Sequence, residues 1–304
     1  MFSSRYSFHA MGSDCAIYLV VNSASEFETT AKAAEAEVIR IEQRYSRYRI
    51  DSELTRINTA AERGDSVDVD DETAAIVGYA IACFAKSGGA FDITSGLLRA
   101  AWDFSRPQLP SQASIDALLP RVGLDKLSVS GGRLHFAQPG MELDLGGLGK
   151  EYAADRAAEV CAEMGAKHGF VDLAGDIRVI GPQPDEKPWL IGIRHPRRPD
   201  IIISEVGMSS GALATSGDYE RYVEINGQRY CHILDPRTGW PVRGLASVTV
   251  ISDRCLVAGS LSTIAMLKGR QGAEWLRHLG VRYIAVAEDG ECGGTEPIDF
   301  RRLS

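Results

Sequence analysis

The stretch Met141-Glu-Leu-Asp-Leu-Gly-Gly-Leu-Gly-Lys150, continuing as Glu151-Tyr-Ala-Ala-Asp155, restricts the fold of this chain more than any other. A short apolar run gives way, through glycines at 146, 147 and 149, to a segment in which Ala153, Ala154, Ala157, Ala158 and Val160 read as helix. The spacing predicts a strand-to-helix turn. Glycine has no Cβ, so a phosphate or its metal can approach the main chain closely, and the helix start offers unpaired N–H groups and a positive dipole end. A pyrophosphate suits that place, although the same turn serves geometry alone in proteins that bind nothing. The spacing Gly146-Gly147-x-Gly149 is not the G-x-G-x-x-G fingerprint of dinucleotide folds.

A chain of 304 residues with 44% hydrophobic content buries one large core or two smaller ones. The formal net charge of −8 argues against a nucleic-acid or anionic-membrane partner, so an anionic ligand must be held locally. Cys15, Cys83, Cys161, Cys231, Cys255 and Cys292 include no C-x-x-C pair and read as buried thiols in a reducing compartment. Residues 1–10 lack the apolar run of a signal peptide, and no stretch approaches the roughly 20 apolar residues of a membrane span. The expectation is a soluble, cytoplasmic protein.

Cys15–Val21 is a short β-rich run. Phe27, Ala31, Ala34, Val38, Ile41 and Tyr45 then recur at helical spacing over Ser25–Arg44, and a second helix is expected from Asp71 to Lys86, ended by Gly88-Gly89. From Lys167 onward the chain reads mostly as strand: Gly169–Asp172, Ile177–Ile180, Trp189–Arg194, Ile201–Val206 and a hairpin, Tyr222–Ile225 with Arg229–Leu234, around Asn226-Gly227. Ser247–Ser252 is a further strand, helices follow at Leu256–Leu267 and Gly272–Leu279, and Tyr283–Ala287 is a late strand. Arg106–Pro110 and Gly181–Pro188 read as surface excursions. The fold class is α+β, with much antiparallel pairing in one intertwined domain over residues 1–304.

Several polar runs stand where loops are expected: Arg47–Asn58, Gly88–Thr94, Ala214–Glu220 and Cys231–Gly239. Each has a bland reading beside a chemical one. Asp235-Pro-Arg-Thr-Gly239 makes a β-turn, His232 packs in an alternating strand, and Tyr48 and Phe91 belong in a core.

Taken together and in order, Ala10-Met-Gly-Ser13, Ser46–Asn58, Gly89–Thr94 with Trp102, Asp144–Lys150, Ala174-Gly-Asp176, Ala214–Glu220 and His232–Gly239 resemble the ApbE family of FAD:protein FMN transferases over nearly the whole chain. The resemblance implies an ApbE-like domain that binds FAD as substrate and uses Mg2+ to attack its pyrophosphate. A Thr or Ser hydroxyl of an acceptor redox protein displaces AMP and takes FMN as a phosphoester; some relatives hydrolyse FAD with water instead. By position, Met11, Tyr48, Ala90, Phe91, Asp92, Asp144, Lys150 and Ile233 are implied FAD contacts, with Asn58 lining the site. Gly147 is implied to offer the metal a backbone carbonyl and Thr263 a hydroxyl. A base must accept the hydroxyl proton, and His232 has the unperturbed pKa suited to that near neutrality. The resemblance names no acceptor and leaves a homodimer open.

The chain departs from the family pattern at its last block. Most members place an Asp four residues before the Thr, whereas here Ala258-Gly-Ser-Leu-Ser-Thr263 puts Gly259 at that position. Residues 259 and 263 share one helix face, so the change removes the only anionic ligand of the set. Ser260 lies about a hundred degrees round the helix and is no substitute. Asp253, Asp172 and Asp176 are the candidate replacements from other segments. Glu151 also stands where the family usually has Gly, and Cys231 where a second His is frequent. A non-catalytic FAD-binding protein and an FAD pyrophosphatase are therefore the rival readings. On helix propensity alone, Gly259→Asp is expected to be tolerated and to raise Mg2+-dependent AMP release.

Overall fold

The computed structural model describes residues 1–302. In chain order its elements are β1 (Phe2–Ala10), β2 (Ser13–Val21), α1 (Ala24–Tyr45), α2 (Glu53–Arg63), β3 (Val67–Asp68), α3 (Asp71–Ser87), α4 (Gln112–Asp116), β4 (Leu127–Ser130), β5 (Arg133–Phe136) and α5 (Gly149–Glu163). There follow β6 (His168–Leu173), β7 (Asp176–Gly181), β8 (Trp189–His195), β9 (Arg198–Met208), β10 (Gly211–Gly217), β11 (Tyr222–Ile225) and β12 (Gln228–Cys231). The last are β13 (Leu245–Ser252), α6 (Cys255–Leu267), α7 (Gln271–Leu279), β14 (Arg282–Ala287), β15 (Cys292–Gly294) and β16 (Arg301–Arg302). The α+β class expected from sequence is what the chain adopts.

An eight-stranded sheet in the order β1-β2-β6-β7-β10-β13-β14-β15 carries the fold, and every neighbouring pair in it is antiparallel. One face packs on α1, α5 and α6 through Val38, Ile41, Ala153, Ala157, Ala258 and Ala265, where alanine lets helix backbones come close. The other face is covered by the β8–β9 ribbon, with Ile191, Ile193, Ile203 and Val206 packed over Val179, Leu213, Ile251 and Ile284. This double cover explains why β13 is buried along nearly its whole length while β1, at the edge, alternates.

The helix ends follow local rules. Ser23 caps α1 by accepting from the Glu26 amide, Asp70 caps α3 by accepting from Thr73, and Gly88 ends α3 at φ +70°. Asn226 and Gly227 both have positive φ and close the β11–β12 hairpin as expected.

The structure differs from the sequence reading in four places. Phe2–Ala10 forms an edge strand, paired through the Met11-Gly12 turn with β2. The second half of the Arg47–Asn58 run is helix α2 rather than loop, because Ser52 caps it by accepting from the Thr55 amide at 3.0 Å. Ala214–Gly217 lies in β10, inside the sheet, not in a turn. Met141–Leu145, expected as a strand, has no strand partner; side chains and loop backbone hold it instead. Ser52 also donates to the Ser46 carbonyl at 2.6 Å, so Ser52→Ala is expected to cost about 1 kcal/mol of stability in denaturant unfolding.

No helix among the described residues is long and apolar enough to cross a membrane.

Candidate functional site

The glycine turn is held from below and from both sides. Asn58, on α2, donates from Nδ2 to the Leu143 carbonyl at 2.9 Å and accepts at Oδ1 from the Leu143 amide at 2.8 Å. The Asp144 amide donates to the Ile93 carbonyl at 2.7 Å. Asp144 Oδ1 accepts from the Gly146 amide at 2.8 Å, and Oδ2 meets Arg47 at 2.9 Å and also Arg99. A Cβ at Gly96 would stand 3.2 Å from Asp144 Cγ and closer still to its Cβ, so glycine there lets the 95–100 turn bring Arg99 in. The outcome is two guanidinium groups gathered beside exposed Gly146 and Gly147.

Helix α5 begins directly after these glycines, and its N-cap residue, Leu148, offers no side-chain acceptor. The positive dipole end of a 15-residue helix thus faces the turn, with Glu151 as the acidic residue of its first turn. Lys150 reaches from the first turn to Asp176 of β7 at 3.1 Å. That contact raises the Lys150 pKa above its ordinary value, so the ammonium stays charged across the physiological range. Burial raises the Asp176 carboxyl pKa, against the pull of Lys150.

Glu151, the next residue, turns inward against α6 and is 7% exposed. Its side chain lies over the bare Cα of Gly259: a Cβ added there would be 2.5 Å from Glu151 Oε1 and 2.8 Å from Cδ. Burial, reinforced by Asp176, pushes its pKa up to about 8. One turn further along the same α6 face, the Thr263 hydroxyl is 2.9 Å from Ser216 of β10, which also contacts Ser262 at 2.8 Å. A separate carboxylate, Asp155 of α5, caps α6 by accepting from the amides of Cys255 and Leu256 at 2.9 and 3.0 Å.

The candidate replacements for a carboxylate at position 259 are otherwise engaged or exposed. Asp176 pairs with Lys150, Asp172 accepts from the Gly175 amide in the β6–β7 turn at 2.8 Å, and Asp253 is exposed. The space in front of Gly259 is taken by Glu151.

His232 follows β12 directly. Its Nδ1 lies 3.1 Å from the Arg221 carbonyl, so the neutral ring donates there and leaves Nε2 as the acceptor. Burial lowers its pKa, and the positive charges of Arg221, Arg99 and Lys150 add to that effect. Ile233, half-buried, packs on the main core.

The remaining sequence candidates divide between surface and core. Met11 has φ +53°, at the tip of the β1–β2 turn, and its amide donates to Glu42 on α1 at 2.8 Å. Tyr48 is 78% exposed, overturning the core reading for it, with the Arg47 guanidinium 5.4 Å from its ring centre. Ala90 and Phe91 are buried, and the Phe91 ring lies under Gly147, 3.9 Å from where a Cβ would be. The Asp92 carboxylate is spent on the chain itself: Oδ1 accepts from the Thr94 amide and hydroxyl at 2.7 and 2.6 Å, and Oδ2 from the Leu124 amide at 3.0 Å. Asp235–Gly239 is a closed turn, with Arg237 folded back on Asp235 and the Gly239 carbonyl accepting from Trp102 at 2.8 Å. A hollow of about 300 Å³ between Gly88, Gly89, Asp92, Pro236 and Arg237 joins these two blocks, and its lining includes neither Lys150 nor His232.

Arg99 and Ser216 were not singled out from sequence. Arg99 lies in a 3-10 turn without periodic signal, and Ser216 is one of several hydroxyls in its run. Glu151 stood out only by replacing a glycine.

Comparison with known proteins bears on the fold and the family. A family model described as the ApbE family matches residues 11–285. The FAD:protein FMN transferase of Haemophilus influenzae is 31% identical over 257 residues, 81% of this chain and 74% of the relative. The crystal structure of the ApbE protein from Thermotoga maritima superposes with a TM-score of 0.89 at 33% identity, covering 97% of each chain. The apo form of the flavinyl transferase ApbE from Pseudomonas stutzeri does so with a TM-score of 0.85 at 29% identity, covering 99% of this chain and 94% of that one. With the sheet, the glycine turn and the length of the match all in agreement, this chain belongs to the ApbE family.

Proposed function

We propose that the protein is an FAD:protein FMN transferase, moving FMN from FAD to a Thr or Ser hydroxyl of an acceptor protein with release of AMP. The observation that carries this reading is the gathering, around the glycine turn at the start of α5, of exposed Gly146 and Gly147 with Lys150, Arg47 and Arg99. A diphosphate needs fixed cations close to main chain that it can approach without a Cβ in the way. The names of the relatives support the same assignment.

In the transfer the acceptor oxygen forms a bond to the phosphorus on the FMN side. The bond from that phosphorus to the bridging oxygen breaks, and AMP leaves with the bridging oxygen and its electron pair. The hydroxyl proton passes to a base. His232 is suited to accept it at Nε2, because its lowered pKa keeps the ring neutral at working pH and the Arg221 carbonyl fixes the tautomer. Lys150 stays charged beside the phosphates because Asp176 holds it so.

The donors on and across from the α6 face of Gly259 are oxygens, the Thr263 and Ser216 hydroxyls and the Glu151 carboxylate, and the resemblance adds the Gly147 carbonyl. They fit a hard cation such as Mg2+. Among the described residues no three His, Cys, Asp or Glu side chains are grouped to hold a metal unaided, so phosphate oxygens and water would complete its shell. When bound, the cation would neutralise the diphosphate charge and favour departure of AMP.

FAD is expected to bind more tightly than FMN, since the site addresses the pyrophosphate and the AMP half as well as the flavin. Fluorescence titration with both ligands checks it; equal affinities would remove the pocket assignment. Incubating the purified protein with FAD and Mg2+, with and without an acceptor protein, and resolving the products then separates transferase, pyrophosphatase and flavin-binding readings. AMP with flavinylated acceptor supports transfer, AMP with free FMN supports hydrolysis, and unchanged FAD supports a binder.

A further inference from the structure

We infer that Glu151 supplies the anionic oxygen of a divalent-cation site at the α5–α6 contact, standing in the space that Gly259 leaves open. The inference rests on the transferase reading for what the cation does there, and on the geometry for where it sits.

The geometry is unusual in two independent ways. First, Gly259 lies in the middle of α6, where glycine is a poor helix former beside alanine, and no turn or positive φ asks for it. What asks for it is Glu151, whose Cγ, Cδ and Oε1 fill the volume a side chain at 259 would need. Second, Glu151 Oε2 is buried and has no hydrogen-bond partner. A buried carboxylate without a partner is costly, and native proteins keep such a group where a ligand or ion satisfies it.

The surroundings point to a cation rather than a lone proton. Thr263 lies one turn on along the α6 face that Glu151 covers, and Ser216 and Ser262 stand with it. Asp176 is near enough to repel Glu151, and Lys150 is already committed to Asp176. Two carboxyl groups and three hydroxyls make an all-oxygen donor set of the kind a hard ion takes. The two departures in sequence, glutamate at 151 and glycine at 259, then become one event: the carboxylate has moved across the helix contact from α6 to α5.

The test is titration with Mn2+ as a paramagnetic probe at saturating FAD, following free Mn2+ by electron paramagnetic resonance. The wild type should bind Mn2+, and Glu151→Gln should weaken that binding at least about tenfold while FAD affinity without metal stays at the wild-type level. The exchange E151G/G259D, which returns the carboxylate to α6 and clears the space for it, should recover Mn2+ binding lost in E151Q. It also decides the matter should E151Q fold poorly. Wild-type Mn2+ affinity in E151Q would overturn the inference while leaving FMN transfer standing. So would a wild type that binds FAD but no Mn2+. A wild type that fails to bind FAD would bring down the transferase reading and this inference with it.

Discussion

Replacing Gly259 by Asp is expected to destabilise the protein by about 3 kcal/mol, the opposite of what helix propensity alone suggests. Propensity favours Asp over Gly by only a few tenths of a kcal/mol. Against that, the new Cβ would stand 2.5 Å from Glu151 Oε1 and 2.8 Å from its Cδ, in a contact where Glu151 is 7% exposed. Overpacking of this kind costs about 1–3 kcal/mol, and a second carboxylate beside Glu151 and Asp176 adds charge repulsion in a region of low dielectric. Gly259→Ala isolates the steric part and should lose about 1–2 kcal/mol. E151G/G259D should regain most of the loss, because it empties the space before filling it. Denaturant unfolding of the four proteins checks the set. If G259D unfolds at the wild-type midpoint, Glu151 moves aside freely and does not occupy the face of α6 as described.

Asp144→Ala is expected to cost about 3 kcal/mol and to weaken FAD binding in the same variant. Asp144 is 8% exposed and faces both Arg47 and Arg99, so its loss strands two guanidinium groups around one cavity and frees the Gly146 amide. Both arginines retain some access to solvent, which keeps the figure at the lower end of the 3–5 kcal/mol seen for broken buried pairs. Asp144→Asn, which keeps an acceptor for the Gly146 amide, should lose less. The resemblance makes Asp144 an FAD contact and has Asn58 lining the site. The structure makes both of them clamps of the glycine turn, so stability and affinity should fall together. A D144A protein that melts like the wild type and only loses FAD would restore the simpler reading.

Much of the fold was legible because its signals are local. The stripe Phe27, Ala31, Ala34, Val38, Ile41 and Tyr45 is buried as helical spacing requires, and Asn226-Gly227 makes its hairpin. The misses have physical causes. Helix α2 has a stripe of only three buried residues, Leu54, Ile57 and Ala61, inside a run whose charges and motif resemblance drew attention to loop chemistry. Strand β10 is rich in small residues and hydroxyls, and it becomes a strand because β7 and β13 pair with its two edges. Met141–Leu145 has strand-like composition but pairs with no strand, because Asn58 and the Ile93 carbonyl take up its backbone groups.

By itself the sequence determined the α+β class, the helix that follows the glycine run, and the family. Those follow from periodicity, from what glycine permits in a turn, and from the order of motifs along the chain. Only the tertiary structure decided what each polar group is free to do. Asp92 and Asn58 spend their side chains on backbone groups far away in sequence, Asp144 gathers two arginines, and Glu151 occupies the space in front of Gly259 across a helix contact. The reason is that a carboxylate's role depends on which donors reach it within hydrogen-bond distance and on whether water does, and both are properties of neighbours brought together by packing.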